Sequence, residues 1–242
     1  MTNSTSRFVF FVGFIIPAIL LSLVLIAYMG QLINSELLYV ILGVQMYLLG
    51  SVPWGYLVYR MKTGRDIRDY GSGKIGTSNM FRTSGKYIGM LVLLLDSLKG
   101  VIAVLITFHL IVDPLVIVVL LLLVVAGHNW SLFLGFKGGR GIAPALGTLL
   151  MITTIPAILA LLIFLPVTFI TKYLSLGSIL GVITAVSSIC ILWFLGWYGS
   201  LEAIYACIAG GIILFQHKDN MQRILAGTER KIGEPAEKLT SR

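Results

Sequence analysis

Residues 141–172 read GIAPALGTLLMITTIPAILALLIFLPVTFITK, with no charge between Arg140 and Lys172. About 20 apolar residues cross a bilayer core of roughly 30 Å, so the run is long for a single pass. Pro156 and Pro166 interrupt it, and a proline removes a helical hydrogen bond and crowds the preceding turn. Two readings follow: one long kinked helix, or two short passes with a break near Thr153-Thr154-Ile155-Pro156.

Six other apolar runs of spanning length lie at about 8–29, 36–60, 88–110, 112–134, 175–197 and 201–216. Across the 242 residues 57% are hydrophobic and 12% charged, with a mean hydropathy of +0.96. Ordinary soluble domains carry roughly 25% charged residues, so there is too little polar surface to wrap a globule. Soluble enzyme folds and single-span receptors with large exposed domains are excluded, and an all-α polytopic integral membrane protein is expected. The first run exceeds the roughly 7–15 apolar residues of a signal peptide and lacks a following A-x-A site, so it is read as a span. Cys190 and Cys207 sit in apolar runs and imply neither a disulfide framework nor a metal cluster.

The net charge of +8 acquires meaning from its placement. One cation is Arg7, seven lie in 60–86, two in 135–142, one is Lys172 and six follow 217, while Lys99 is inside a span. The connections at 30–35, 109–114, 153–156 and 197–202 have none. Basic residues near span ends gather on the cytoplasmic side. If 141–172 crosses twice, every cation outside the spans falls on that side with both termini; if it crosses once, Lys172 is separated from a neighbouring basic region. Eight transmembrane helices in four hairpins are therefore expected. Asn3-Ser4-Thr5, a glycosylation sequon, then lies on an inner tail and is a chance match.

Polar chemistry concentrates in three inner stretches. The first runs from Gly50-Ser51-Val52-Pro53-Trp54-Gly55-Tyr56 to Gly71-Ser72-Gly73-Lys74-Ile75-Gly76-Thr77-Ser78-Asn79-Met80-Phe81-Arg82. Glycines there let backbone N–H groups turn toward an anion, short side chains add hydrogen bonds, and Arg82 offers a planar fork to phosphate. A cationic loop resting on anionic headgroups has the same composition, so both readings stand. The second is Gly127-His128-Asn129-Trp130 followed by Gly135-Phe136-Lys137-Gly138-Gly139-Arg140-Gly141, directly before an apolar helix. Free N–H groups, the positive helix end and two cations converge on an anion site, although a tight turn with interfacial anchors also fits, and the Walker spacing is absent. His128 and Trp130 read as interfacial packing groups rather than ligands. The third is Gln216-His217-Lys218-Asp219-Asn220-Met221-Gln222-Arg223. If the helix continues, His217 and Asn220 share a face. Asp96 and Lys99, at i and i+3 inside a span, are read as an ion pair, either structural or bordering the site.

These segments resemble the PlsY-type acyl-phosphate:glycerol-3-phosphate acyltransferases. The likeness runs from about Leu48 to Glu229 and rests on Gly-Ser-x-Pro-x-Gly-Tyr (50–56), Gly-Ser-Gly-x-Ile-Gly (71–76), Leu-Leu-Leu-Asp-x-Leu-Lys-Gly (93–100), Phe-Lys-Gly-Gly-Arg-Gly (136–141) and His-x-x-Asn-x-x-Arg (217–223). The resemblance implies a core of seven passes, so that 1–35 holds one added N-terminal span, 36–231 the acyltransferase core and 232–242 a cytoplasmic tail. It implies catalytic roles for His217, Asn220, Ser72 and Arg82, and substrate binding by Gly71, Gly73, Asn79, Lys137, Gly138, Gly139, Arg140, Gly141 and Ser175, with Glu229 a structural carboxylate. Lys74 stands where the family usually has Asn, Thr77-Ser78 where it has Ala-Thr, Arg140 where it has Lys and Gln216 where it has Arg.

The implied reaction transfers an acyl group from acyl phosphate to the 1-hydroxyl of glycerol 3-phosphate at the inner face of the bacterial cytoplasmic membrane. It yields lysophosphatidic acid and inorganic phosphate, without metal, cofactor or nucleic acid. His217 serves as base or orients the hydroxyl, and the departing phosphate can take the proton. An organic-phosphate transporter is the alternative from another class, but it calls for polar groups at the midplane or an inverted repeat; a re-specialised, weakly active paralogue is the other.

Overall fold

The computed structural model describes residues 8–234 together with Lys238 and Leu239. Arg7, the Asn3 sequon and most of the tail after Glu234 lie outside the described residues. The described chain is helical. In order the helices are α1 (Phe8–Met29), α2 (Ser35–Ser51), α3 (Trp54–Thr63), α4 (Thr77–Ser84), α5 (Lys86–Leu110), α6 (Pro114–Asn129), α7 (Ile142–Ile152), α8 (Thr154–Thr171), α9 (Leu174–Phe194), α10 (Ser200–Gln216) and α11 (Lys218–Leu225).

Local signals explain the boundaries. Asn34 caps α2 by accepting from the Glu36 N–H at 2.9 Å, and Asp113 caps α6 from the Leu115 N–H at 2.8 Å, with Pro114 at the first helical position. These side chains satisfy amides that have no partner within the helix. Pro53 separates α2 from α3 and supplies no N–H, leaving carbonyls near the break to find other donors. Lys99 provides them: its ammonium binds the Gly50 and Val52 carbonyls and Asp96, the last at 2.7 Å. The Asp96–Lys99 pair thus pins α5 to the break, and Asp96 also lies 3.5 Å from His128 Nδ1 on α6. Close backbone approach reinforces the bundle. A Cβ on Gly50 would stand 2.2 Å from the Val124 carbonyl oxygen, and one on Gly127 2.2 Å from that of Tyr47, so small residues let α2 and α6 touch.

Among the described residues six helices are long and apolar enough to cross a membrane, or seven if α10 and α11, bent by 55°, form one span. The count of eight is not confirmed. The expected break in 141–172 is present, at buried Thr153, but α7 has only 11 residues. At about 1.5 Å per residue it extends roughly 16 Å, half a bilayer core. Helices α7 and α8 still return the chain to one end of the bundle. The Lys172 carbonyl after α8 accepts from the Ile232 N–H at 2.8 Å, and Arg82 binds the Arg230 carbonyl at 3.0 Å. The Lys172 turn, the 70–82 region and the C-terminal segment are therefore gathered together.

Candidate active site

At this end a cavity of about 470 Å³ opens among α5, α7, α8, α9 and α10. Its mouth is polar, with Lys74, Thr77, Ser78, Arg140, Ser175 and His217, and its depth is apolar, with Leu149, Leu161, Val182, Val186 and Ala206 among the lining residues. The volume is typical of a small-molecule site, roughly 300–1,000 Å³.

The first polar stretch forms a turn held by Asn79. Gly71 and Gly73 have φ of +59° and +68°, a region that glycine enters without a Cβ clash. Asn79, fully buried, accepts from the Ser72 N–H at 3.0 Å and donates to the carbonyls of Tyr70 at 3.0 Å and Lys74 at 2.9 Å. Its amide is thus committed to shaping the turn rather than to a ligand. Ser72 is partly buried, and its hydroxyl accepts from the Lys74 N–H at 3.4 Å; Lys74, not Ser72, lines the cavity.

The second stretch is a folded loop rather than a row of free amides. The Gly138 and Gly139 N–H groups donate to the carbonyls of Asn129 at 3.1 Å and His128 at 2.9 Å. Gly141 has φ +85° and begins α7. A Cβ on Gly139 would lie 2.0 Å from His128 Nε2, so the loop is laid directly on the imidazole. Gly139, Arg140, Gly141 and His128 line the cavity. Lys137 is exposed and does not line it, which the positive charge in the sequence pattern did not reveal.

The third stretch is bent, not continuous. The helix axis turns by 55° at His217, so His217 and Asn220 are placed by a hinge instead of one helical face. His217 Nδ1 lies 2.8 Å from the Ile213 carbonyl. A carbonyl only accepts, so Nδ1 carries the proton and Nε2 of the neutral ring is left as an acceptor.

Glu229 organises the remainder. Its side chain is 1% exposed. It accepts from Ser175 Oγ, Asn220 Nδ2 and Arg223 Nε, each at 2.8 Å, and lies 3.7 Å from Arg82. Burial alone would raise its carboxyl pKa, but the hydrogen bonds from Ser175, Asn220 and Arg223 and the Arg223 charge hold it below the usual range. Burial presses Arg82 downward against the attraction of Glu229. Burial, then the Arg223 charge, push Arg140 down to about 10 against the pull of Glu229, so Arg140 stays charged at neutral pH in a repulsive setting. The guanidinium groups of Arg82 and Arg223 flank this one carboxylate, whose charge Arg140 also feels.

Several buried polar atoms here have no hydrogen-bond partner within the protein: Thr77 Oγ1, Arg82 Nε, Arg140 Nε and Asn220 Oδ1. An unmet buried group costs about 1–3 kcal/mol, and such groups are scarce in folded proteins. Their concentration around an excess of positive charge suits an anionic, hydroxyl-bearing ligand. The structure therefore unites Arg82, Ser175, Asn220 and Glu229, and sets Arg140, Gly139, Gly141 and His217 beside them at the cavity. Arg223, visible in sequence only as the last letter of a motif, and His128, read as a packing group, were missed as parts of the site.

The chain is similar to proteins of known activity. The sequence profile of the family described as "Glycerol-3-phosphate acyltransferase" matches residues 38–227, which omits α1. The chain is 40% identical over 204 residues to a glycerol-3-phosphate acyltransferase of Clostridioides difficile (strain 630), covering 82% of this chain and 98% of that protein. It is 40% identical over 188 residues to glycerol-3-phosphate acyltransferase 2 of Moorella thermoacetica, covering 78% and 94%. The crystal structure of PlsY (YgiH), an integral membrane glycerol 3-phosphate acyltransferase, in its glycerol 3-phosphate form superposes with a TM-score of 0.73 at 34% identity, over 81% of this chain and 96% of that one. Its lysophosphatidic acid form gives a TM-score of 0.70 at 32% identity, over 81% and 95%. The profile match over residues 38–227, the 40% identity to enzymes covered almost end to end and the shared fold place this multi-pass membrane protein in the glycerol-3-phosphate acyltransferase family.

Proposed function

We propose that the chain transfers a fatty acyl group from acyl phosphate to the 1-hydroxyl of sn-glycerol 3-phosphate, releasing lysophosphatidic acid and inorganic phosphate. The observation that carries this reading is the junction of two environments: buried cationic and polar side chains with unpaired atoms around the mouth, and an apolar chamber directly beneath. A donor with a phosphate head and a fatty tail matches both.

Acyl phosphate is a mixed anhydride, so its carbonyl is already activated and no acyl-enzyme is required. Arg140, positioned by the glycine loop, holds the donor phosphate. Arg82 and the polar groups around Glu229 hold glycerol 3-phosphate, and Asn220 Oδ1 accepts from a substrate hydroxyl. His217 Nε2 orients the attacking hydroxyl or takes its proton, which the leaving phosphate can otherwise accept. Catalysis then consists mainly of joining two substrates in the correct geometry and stabilising developing negative charge. The gathering of cations at this end supports a site on the cytoplasmic face of a bacterial membrane.

The test supplies purified protein in nanodiscs with glycerol 3-phosphate and a long-chain acyl phosphate, and measures lysophosphatidic acid by mass spectrometry. Product above the protein-free blank is expected, and its absence overturns the reaction. Undiminished product from both His217→Ala and Arg82→Ala overturns the residue roles while sparing the reaction.

A further inference from the structure

We propose that Tyr205 forms the floor of the acyl chamber and limits the donor chain that fits fully inside to about 14 carbons. The inference rests on the acyl-phosphate reading above.

On α10 the lining runs from Tyr205 through Gly210 and Ile213 to His217 at the mouth, an interval of 12 residues, about 18 Å at roughly 1.5 Å per residue. A staggered chain of bonds near 1.5 Å and angles near 111° advances roughly 1.25 Å per carbon, so about 14 carbons span that depth. Tyr205 is fully buried. Ile189 and Ala203, which do not line the cavity, are buried against the lining residues Ala206 and Leu149, and Tyr205 is the last lining residue on α10. Halfway up, Gly210 keeps the passage open, since a Cβ there would meet Val186 Cγ2 at 2.5 Å.

The chain end therefore meets the buried Tyr205 ring. An acyl chain that overruns such a pocket is disfavoured by roughly 10-fold or more. Tyr205 is thus a specificity-determining residue, separate from the groups that handle phosphate.

The experiment measures kcat/KM for saturated acyl phosphates from about 10 to about 20 carbons. Native protein is expected to peak near 14 carbons and to fall by roughly 10-fold by about 18. Tyr205→Ala is expected to move the peak upward by about 2 to 4 carbons, raising the 18-to-14-carbon ratio of kcat/KM roughly 10-fold. Ala206→Leu, beside the floor, is expected to move the peak downward and serves where Tyr205→Ala folds poorly. A native profile flat from 12 to 20 carbons overturns the proposal, as does a uniform loss at every length in both variants. Consumption of no acyl phosphate at any length instead overturns the reaction on which the proposal rests.

Discussion

Glu229→Gln removes one charge and nearly no volume, and it tests whether a single carboxylate holds the site together. The native side chain receives hydrogen bonds at 2.8 Å from Ser175, Asn220 and Arg223, and faces Arg82 at 3.7 Å. Hydrogen bonds to a charged group are worth about 1.5–3 kcal/mol against about 1 for neutral ones. Two weakened bonds, and a third lost because the glutamine NH₂ faces the Arg223 Nε–H, another donor, therefore cost about 2–4 kcal/mol. Breaking a buried ion pair costs about 3–5 kcal/mol, but the Arg82 contact is long and a neutral amide is easier to bury, which offsets much of that. About 3 kcal/mol is expected in total. On the soluble-domain scale of about 2–4 °C per kcal/mol, Tm falls by about 6–12 °C. Scanning fluorimetry on intrinsic tryptophan reads the change in matched detergent. The pH dependence sharpens the test. The folded pKa of Glu229 lies below the ordinary value of 4.5, so its contribution is complete above that value and is lost as pH falls through the lower folded one. The gap between native protein and variant should hold from about pH 8 to about pH 5 and close below about pH 4.5. Equal melting at neutral pH, or a gap undiminished in acid, would refute the reasoning.

Arg140→Ala removes a cation crowded by Arg223 and Arg82, so Tm should be maintained or rise while acyl transfer falls by roughly 100-fold or more, the loss typical of one transition-state donor. A lower Tm sinks the repulsion argument, and Arg140→Lys should recover part of the activity. Asn79→Ala strips three hydrogen bonds from the 70–74 turn and should cost about 2–3 kcal/mol of stability, raising KM for glycerol 3-phosphate more than it lowers kcat; steady-state kinetics with either parameter unmoved counts against that role. Gly139→Ala should abolish activity because the new methyl meets His128 Nε2. Adding His128→Ala should restore part of it, and a double-mutant cycle showing simple additivity would exclude the contact.

The legible parts of this protein are those that depend on order along the chain. Hydropathy located the apolar helices, Pro156 and the neighbouring threonines marked the break now seen at Thr153, and Asp96 and Lys99 announced their pairing by spacing alone. Motif order identified the family before any geometry was known. The crossing count was less secure because a run of apolar letters does not show how far a helix reaches: α7 stops after 11 residues.

The site followed a different rule. Ser175 and Glu229 are 54 residues apart in sequence yet 2.8 Å apart in space, and Arg82 reaches the same carboxylate from another part of the chain. Sequence could offer Glu229 only as an isolated acid among C-terminal cations, and it could not separate half-buried Arg140 from exposed Lys137 three residues earlier. Membrane residence, the clustering of cations and membership of the family were determined by the sequence itself, because hydropathy, charge and motif order are local sums over neighbouring residues. The Glu229 hub, the bend at His217, the commitment of Asn79 to a turn and the depth of the acyl chamber were decided only by the tertiary structure, because each depends on which distant helices exclude water from one another's side chains.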